Sequence, residues 1–65
     1  MIKVVIRLGN DMVMVLDDVG EQMMEYQGQY LLVRESILRD APAGAVFTHW
    51  FGRSPTPVQV TKEMW

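Results

Sequence analysis

The stretch Ile2–Asp17 reads IKVVIRL, then Gly9-Asn10, then DMVMVLD, and the way it folds decides how the rest of the chain is arranged. Two runs rich in Val and Ile around a Gly-Asn pair are a strong hairpin signal. Glycine at the first central position of a type II′ turn takes positive φ without steric cost. A two-residue loop sets Leu8 opposite Asp11, Ile6 opposite Val13 and Val4 opposite Val15, which gathers Ile2, Val4, Ile6, Leu8, Val13 and Val15 on one face. The other face then carries Lys3, Val5, Arg7, Met12, Met14 and Leu16. A three-residue loop, Gly9-Asn10-Asp11 with Asp11 in the left-handed region, slips the register instead. Met12, Met14 and Leu16 then oppose Leu8, Ile6 and Val4, while Val5, Val13 and Val15 line the second face. In both registers each face carries several large apolar side chains, whereas a half-solvated sheet alternates apolar with polar residues. Coverage on both sides is therefore expected, and Val5, Met12, Met14 and Leu16 are the candidate self-association residues.

A chain of 65 residues makes one small α+β domain, residues 1–65. Chains of this size bury only about 60% of the surface exposed on unfolding and usually need a staple. With no Cys there is no disulfide, and a single His without Cys argues against structural zinc, so neither a metal nor another cofactor is expected. Homo-oligomerisation through the sheet is one staple left, and unusually tight packing of a monomer is the other. A net charge of −2, with Lys3, Arg7, Arg34, Arg39, Arg53 and Lys62 scattered along the chain, argues against a nucleic-acid partner. The longest apolar runs are about five residues, against the roughly 20 that a membrane helix needs. Ile2 already opens a strand and no secretory signal pattern precedes it, so a cytoplasmic protein is expected.

Asp17-Asp18-Val19-Gly20 suits a type I turn closed by a left-handed glycine, leading into a third strand, Glu21 to Met24, with Asp17 facing Glu21 and Val15 facing Met23. From about Gln29 the period becomes helical. Tyr30, Val33, Ile37 and Ala41 form one stripe, widened by Leu38 and Leu31, which is expected to pack on the sheet. Leu32 falls on the outer side, and Arg34 can lay its stem along the sheet with its head in water. Gly28 is a tolerable N-cap, and Pro42 disfavours the α region at Ala41 and stops the helix. Ala45–Phe51, rich in aromatic and β-branched residues, is the fourth strand. Pro55 and Pro57 push Val58-Gln59-Val60 to an edge, and Thr61 can cap a last turn that folds Trp65 back on the body. The expected architecture is a small antiparallel sheet with one helix on one face, β-β-β-α-β-β.

No motif carries chemistry by itself. His49 lies among Phe47, Trp50 and Phe51, and no spacing ties a carboxylate to it, so a half-buried structural histidine is the plainer reading. Ser36 and Ser54 lack a nucleophile-elbow context, and the glycines are dispersed singly beside turns rather than gathered in a phosphate loop. Tyr26, Tyr30, His49 and Trp50 are the candidates for lining a small-ligand pocket, although aromatic residues at such spacings usually fill a core. Trp50 and Phe51 with Arg53 offer an aromatic platform for single-stranded nucleic acid but no basic groove. The functional expectation is a non-enzymatic protein-interaction module that self-associates, with a small-ligand-binding protein or enzyme subunit as the alternative.

Overall fold

The computed structural model describes Met1–Trp65 and shows one helix packed against a five-stranded mixed sheet. The strands are β1 (Ile2–Leu8), β2 (Met12–Asp17), β3 (Gly28–Gln29), β4 (Val46–Trp50) and β5 (Val58–Val60), ordered β3-β2-β1-β4-β5. The helix, α1 (Tyr30–Asp40), links β3 to β4. The α+β class and the strand-and-helix sequence follow the reading above, but the sheet is not wholly antiparallel. β4 runs parallel to β1, pairing Val5 with Phe47 and Arg7 with His49. β3 is antiparallel to β2 and so points the same way as β1. A helix that leaves such a strand, crosses the sheet and feeds another strand returns it in that same direction.

The hairpin takes the wider register. Val5 pairs with Val15, Ile6 with Met14 and Val4 with Leu16. Asp11 sits at φ 66, in the left-handed region that Asp tolerates better than most residues, and its N–H donates to the Leu8 carbonyl at 3.0 Å. Two side-chain contacts hold this loop. The Met12 N–H donates to Asn10 Oδ1 at 3.1 Å, and Arg7 donates to Asp11 Oδ1 through Nε at 2.8 Å. Val5, Val13 and Val15 therefore face the helix, and a register shift between Ile2 and Val4 turns Ile2 to the same side.

The core is Ile2, Val5, Val13, Val15, Ile37, Phe47 and Trp65. Ile37 supplies the one fully covered side chain of α1, flanked by Tyr30, Val33, Leu38 and Ala41, as the helical stripe predicts. Leu31 does not widen the stripe; it stands 78% exposed beside Leu32, because the first turn of α1 reaches the margin of the sheet. Gln29, not Gly28, is the N-cap, and it offers no side-chain bond; the Tyr30 N–H donates instead to the Asp11 carbonyl at 2.9 Å. Gly28, at φ +144, packs where an added Cβ would lie 3.5 Å from Val33. Ala41 caps the far end in extended conformation, as Pro42 requires.

The turn after β2 forms as expected. Gly20 sits at φ 86, its N–H donates to the Asp17 carbonyl, and Asp17 Oδ1 accepts from the N–H groups of Val19 and Glu21. The expected strand Glu21–Met24 shrinks to a single bridge, Leu16 to Gln22, flanked by backbone bonds that pair Asp17 with Glu21 and Val15 with Met23. The chain then turns through a 3₁₀ segment, Met24–Tyr26, which lets Met23 and Tyr26 pack against the core, and regains the sheet only at β3. At the other end Thr61 closes the last turn, accepting from the Met64 N–H through Oγ1 at 3.3 Å, and Trp65 is driven inward to 3% exposure.

Candidate functional site

One face of the sheet lies under α1, and no element of the chain crosses the other. Pairing puts Val4, Ile6 and Leu8 of β1, Met12, Met14 and Leu16 of β2, and Val46, Thr48 and Trp50 of β4 together on that uncovered face. Thr48 is the single polar member, and its hydroxyl is turned inward to donate to the Val5 carbonyl at 2.9 Å. Ile6 and Thr48 form a floor, already 6% and 5% exposed beneath their longer neighbours, while the remaining members are half-buried except Met12, at 37%. Glutamines mark the margins. Gln22 pairs with Leu16, Gln29 with Met12 and Gln59 with Thr48, and Gln22 Nε2 lies 3.4 Å from the Met14 sulfur. The residues that pairing places at the centre of this face are uncharged, Lys3 lies at its end in the register shift of β1, and the margin carries neutral amides. An apolar centre with a polar rim departs from the apolar-polar alternation of a solvated sheet face.

Of the four residues expected to self-associate, Met12, Met14 and Leu16 lie on this face and Val5 does not. Val5 is wholly buried under α1, because the three-residue loop turns it to the helix side. Val4, Ile6, Leu8 and Val46 join the set in its place, together with Trp50. Their signal in the sequence was the loop itself, since only the register with Asp11 left-handed brings them together with the methionines.

The four residues expected to line a ligand pocket are not gathered. His49 and Trp50 are successive residues of β4 and point to opposite faces. Tyr26 donates its hydroxyl to Asp40 at 2.7 Å, at the far end of α1 from Tyr30. That bond and the neighbouring Asp40 charge raise the Tyr26 pKa, while bonds from Arg39 and from Tyr26 hold Asp40 below the usual carboxylate range. Tyr30 instead belongs to a cluster that closes one end of the core. The Arg7 guanidinium lies 3.5 Å above its ring centre, and Trp65 meets it edge-on at 5.1 Å. Arg7 also donates to the Trp65 carbonyl at 3.1 Å, and His49 Nε2 lies 3.5 Å from the same oxygen while its ring stacks on Phe51 at 4.7 Å. His49 thus meets the Trp65 main-chain oxygen and an aromatic face, and no Asp or Glu side chain bonds it to orient it as a base. Trp50 and Phe51 likewise fall on opposite sides of the strand line and cannot form one stacking platform.

Two hollows flank the loop between β1 and β2. A shallow cleft of about 500 Å³ lies at the turn end of the sheet, lined by Leu8, Gly9, Asn10, Trp50, Gly52 and Ser54. The Trp50 indole that forms its wall is fixed by Nε1 donating to the Ser54 carbonyl at 2.8 Å. A smaller one, about 230 Å³, lies beside Tyr30 and Leu31. No three His, Asp or Glu side chains converge as metal ligands, and no helix is long and apolar enough to cross a membrane. No family model, no curated protein and no solved structure matches this chain.

Proposed function

We propose that this protein is a non-enzymatic interaction module that associates with a second copy of itself through the uncovered face of its sheet. The observation that carries this reading is the uncharged, apolar surface shared by β1, β2 and β4, on which no part of the chain packs. An uncharged patch meets its own copy with neither like-charge repulsion nor the cost of burying an unpaired charge. A body with Cα extents of 29 × 23 × 22 Å and 4424 Å² of accessible surface gives each broad face on the order of 700 Å². That is close to the roughly 800 Å² each partner gives to a standard interface. Covering it would also relieve the shortage of buried surface that a 65-residue chain without disulfides suffers. A cytoplasmic setting belongs to the same reading, on the lack of cysteine.

Size-exclusion chromatography with light scattering at micromolar concentration tests it. The unaltered chain should give twice the 7.5 kDa of one copy, and Met14→Lys should give the single-chain mass with an unchanged circular dichroism spectrum. Leu32→Lys, on the outer side of α1 where Leu32 is 77% exposed, should leave the dimer intact. A single-chain mass for the unaltered protein across the micromolar range would defeat the proposal.

A further inference from the structure

Resting on the self-association proposed above, we infer that the two copies are related by a twofold axis running along β1, and that the cleft beside Trp50 is the socket for Met12 of the second copy. The uncovered face is stepped rather than flat. Its β2 row is long side chains throughout, Met12, Met14 and Leu16, while its β4 row has the short Val46 and the sunken Thr48 before Trp50. Packed surfaces must fill their space, so a tall row has to meet a low one.

Two symmetric arrangements lay such a face on itself with the strands aligned. With the axis across the strands, each row meets its own copy: Met14 stands on Met14 while Thr48 faces Thr48 over a gap. With the axis along β1, the β2 row of each copy lies over the β4 row of the other. Because Leu16, Val4 and Val46 share one level of the sheet, and Met14, Ile6 and Thr48 the next, Leu16 then meets Val46 and Met14 meets Thr48. Leu8 and Trp50 share the following level, with Met12 beyond Val13 in the same register, so Met12 of each copy comes down on Trp50 of the other. Met12 is the most exposed apolar side chain of this face, at 37%, and the cleft of about 500 Å³ opens beside that indole. A flexible thioether against the edge of an aromatic ring is a favourable contact, and the Ser54 carbonyl already holds the indole in place to receive it.

The chain has no cysteine, so single cysteines introduced by substitution report position without background. Leu16→Cys and Val46→Cys chains are mixed and treated with a short thiol cross-linker of about 5 Å reach, which spans facing side chains of sheets packed ~10 Å apart but not residues displaced sideways by two strand spacings of about 4.8 Å. The inferred axis predicts a Leu16→Cys/Val46→Cys cross-linked dimer and little product from Met14→Cys alone. A dimer that cross-links through Met14→Cys alone, or not at all, overturns the inferred axis while leaving self-association standing. Loss of any dimer from the unaltered chain overturns both. As a second reading, Met12→Ala should raise the dissociation constant about tenfold, the weakening expected when a side chain seated in a cleft is truncated, whereas Met24→Ala should leave it unchanged. Equal affinities for the two variants would remove the socket.

Discussion

The two faces of this sheet are built from different kinds of apolar residue. Under the helix stand Val5, Val13, Val15 and Phe47, short β-branched or flat side chains with few rotamers, and each is no more than 4% exposed. On the other side Val4, Ile6, Val46 and Thr48 are β-branched too, but beside them stand Leu8, Met12, Met14 and Leu16, longer side chains left half-covered or exposed. Stiff side chains lose little entropy on packing and suit a partner fixed by the same chain, such as Ile37 of α1. Flexible thioethers and leucines adapt to a surface that arrives separately. Apolar content is similar on both sides, so hydrophobicity alone does not separate the two faces; what differs is the row of long, flexible side chains that β2 adds to the uncovered one.

Breaking the covered side should have the largest effect. Trp65→Ala removes a side chain that packs on Tyr30 and Phe47, and should lower unfolding free energy by about 3–5 kcal/mol in urea titration. Ile37→Ala, at a fully buried position, should cost about 2–5 kcal/mol in the same assay. Both are best measured in the Met14→Lys background, where association no longer adds to stability. A smaller change, Thr48→Val, removes the hydroxyl that donates to the Val5 carbonyl and should cost about 1 kcal/mol, since the floor residue keeps its shape. It should leave the dimer in place because the hydroxyl points away from the second copy.

The smallest effect lies away from both faces, where Tyr26, Arg39 and Asp40 join the 3₁₀ turn to the end of α1. The Asp40 pKa is depressed, first by Arg39 and then by Tyr26, so its contribution is present above the unfolded carboxylate value and is lost as pH falls through the lower folded one. The Tyr26 pKa is raised by its bond to Asp40, so that contribution holds below the unfolded phenol value and fades as pH rises through the folded one. Melting curves of Asp40→Asn should therefore converge with the unaltered chain in strong acid, and those of Tyr26→Phe in strong alkali. Because the cluster is solvent-exposed, the gap at neutral pH should be slight.

Much of this architecture was legible in local chemistry. The hairpin, the Asp17–Gly20 turn, the stripe around Ile37, the stop at Pro42, the edge position of β5 and the return of Trp65 all follow from residues a few positions apart. What stayed open depended on distant partners. The loop at Gly9 fits two registers on its own, and the Arg7–Asp11 contact with the packing of Val5 against Phe47 favours one of them. The direction of β4 depends on where α1 delivers the chain, which no local pattern encodes. Glu21–Met24 has the right pairing but loses its strand to the packing of Met23 and Tyr26 on the core. The pocket around His49 and Trp50 fails for a simple reason, the alternation of side chains along a strand.

The methionines give the most direct test of the claim that a second copy covers the uncovered face. Labelled at their methyl groups and exposed to a soluble paramagnetic agent, Met24 and Met64, 71% and 70% exposed, should lose signal at every protein concentration. Met12 and Met14 should lose signal in dilute solution and regain it as concentration rises through the micromolar range. Attenuation of Met12 and Met14 that does not change with concentration would contradict the account.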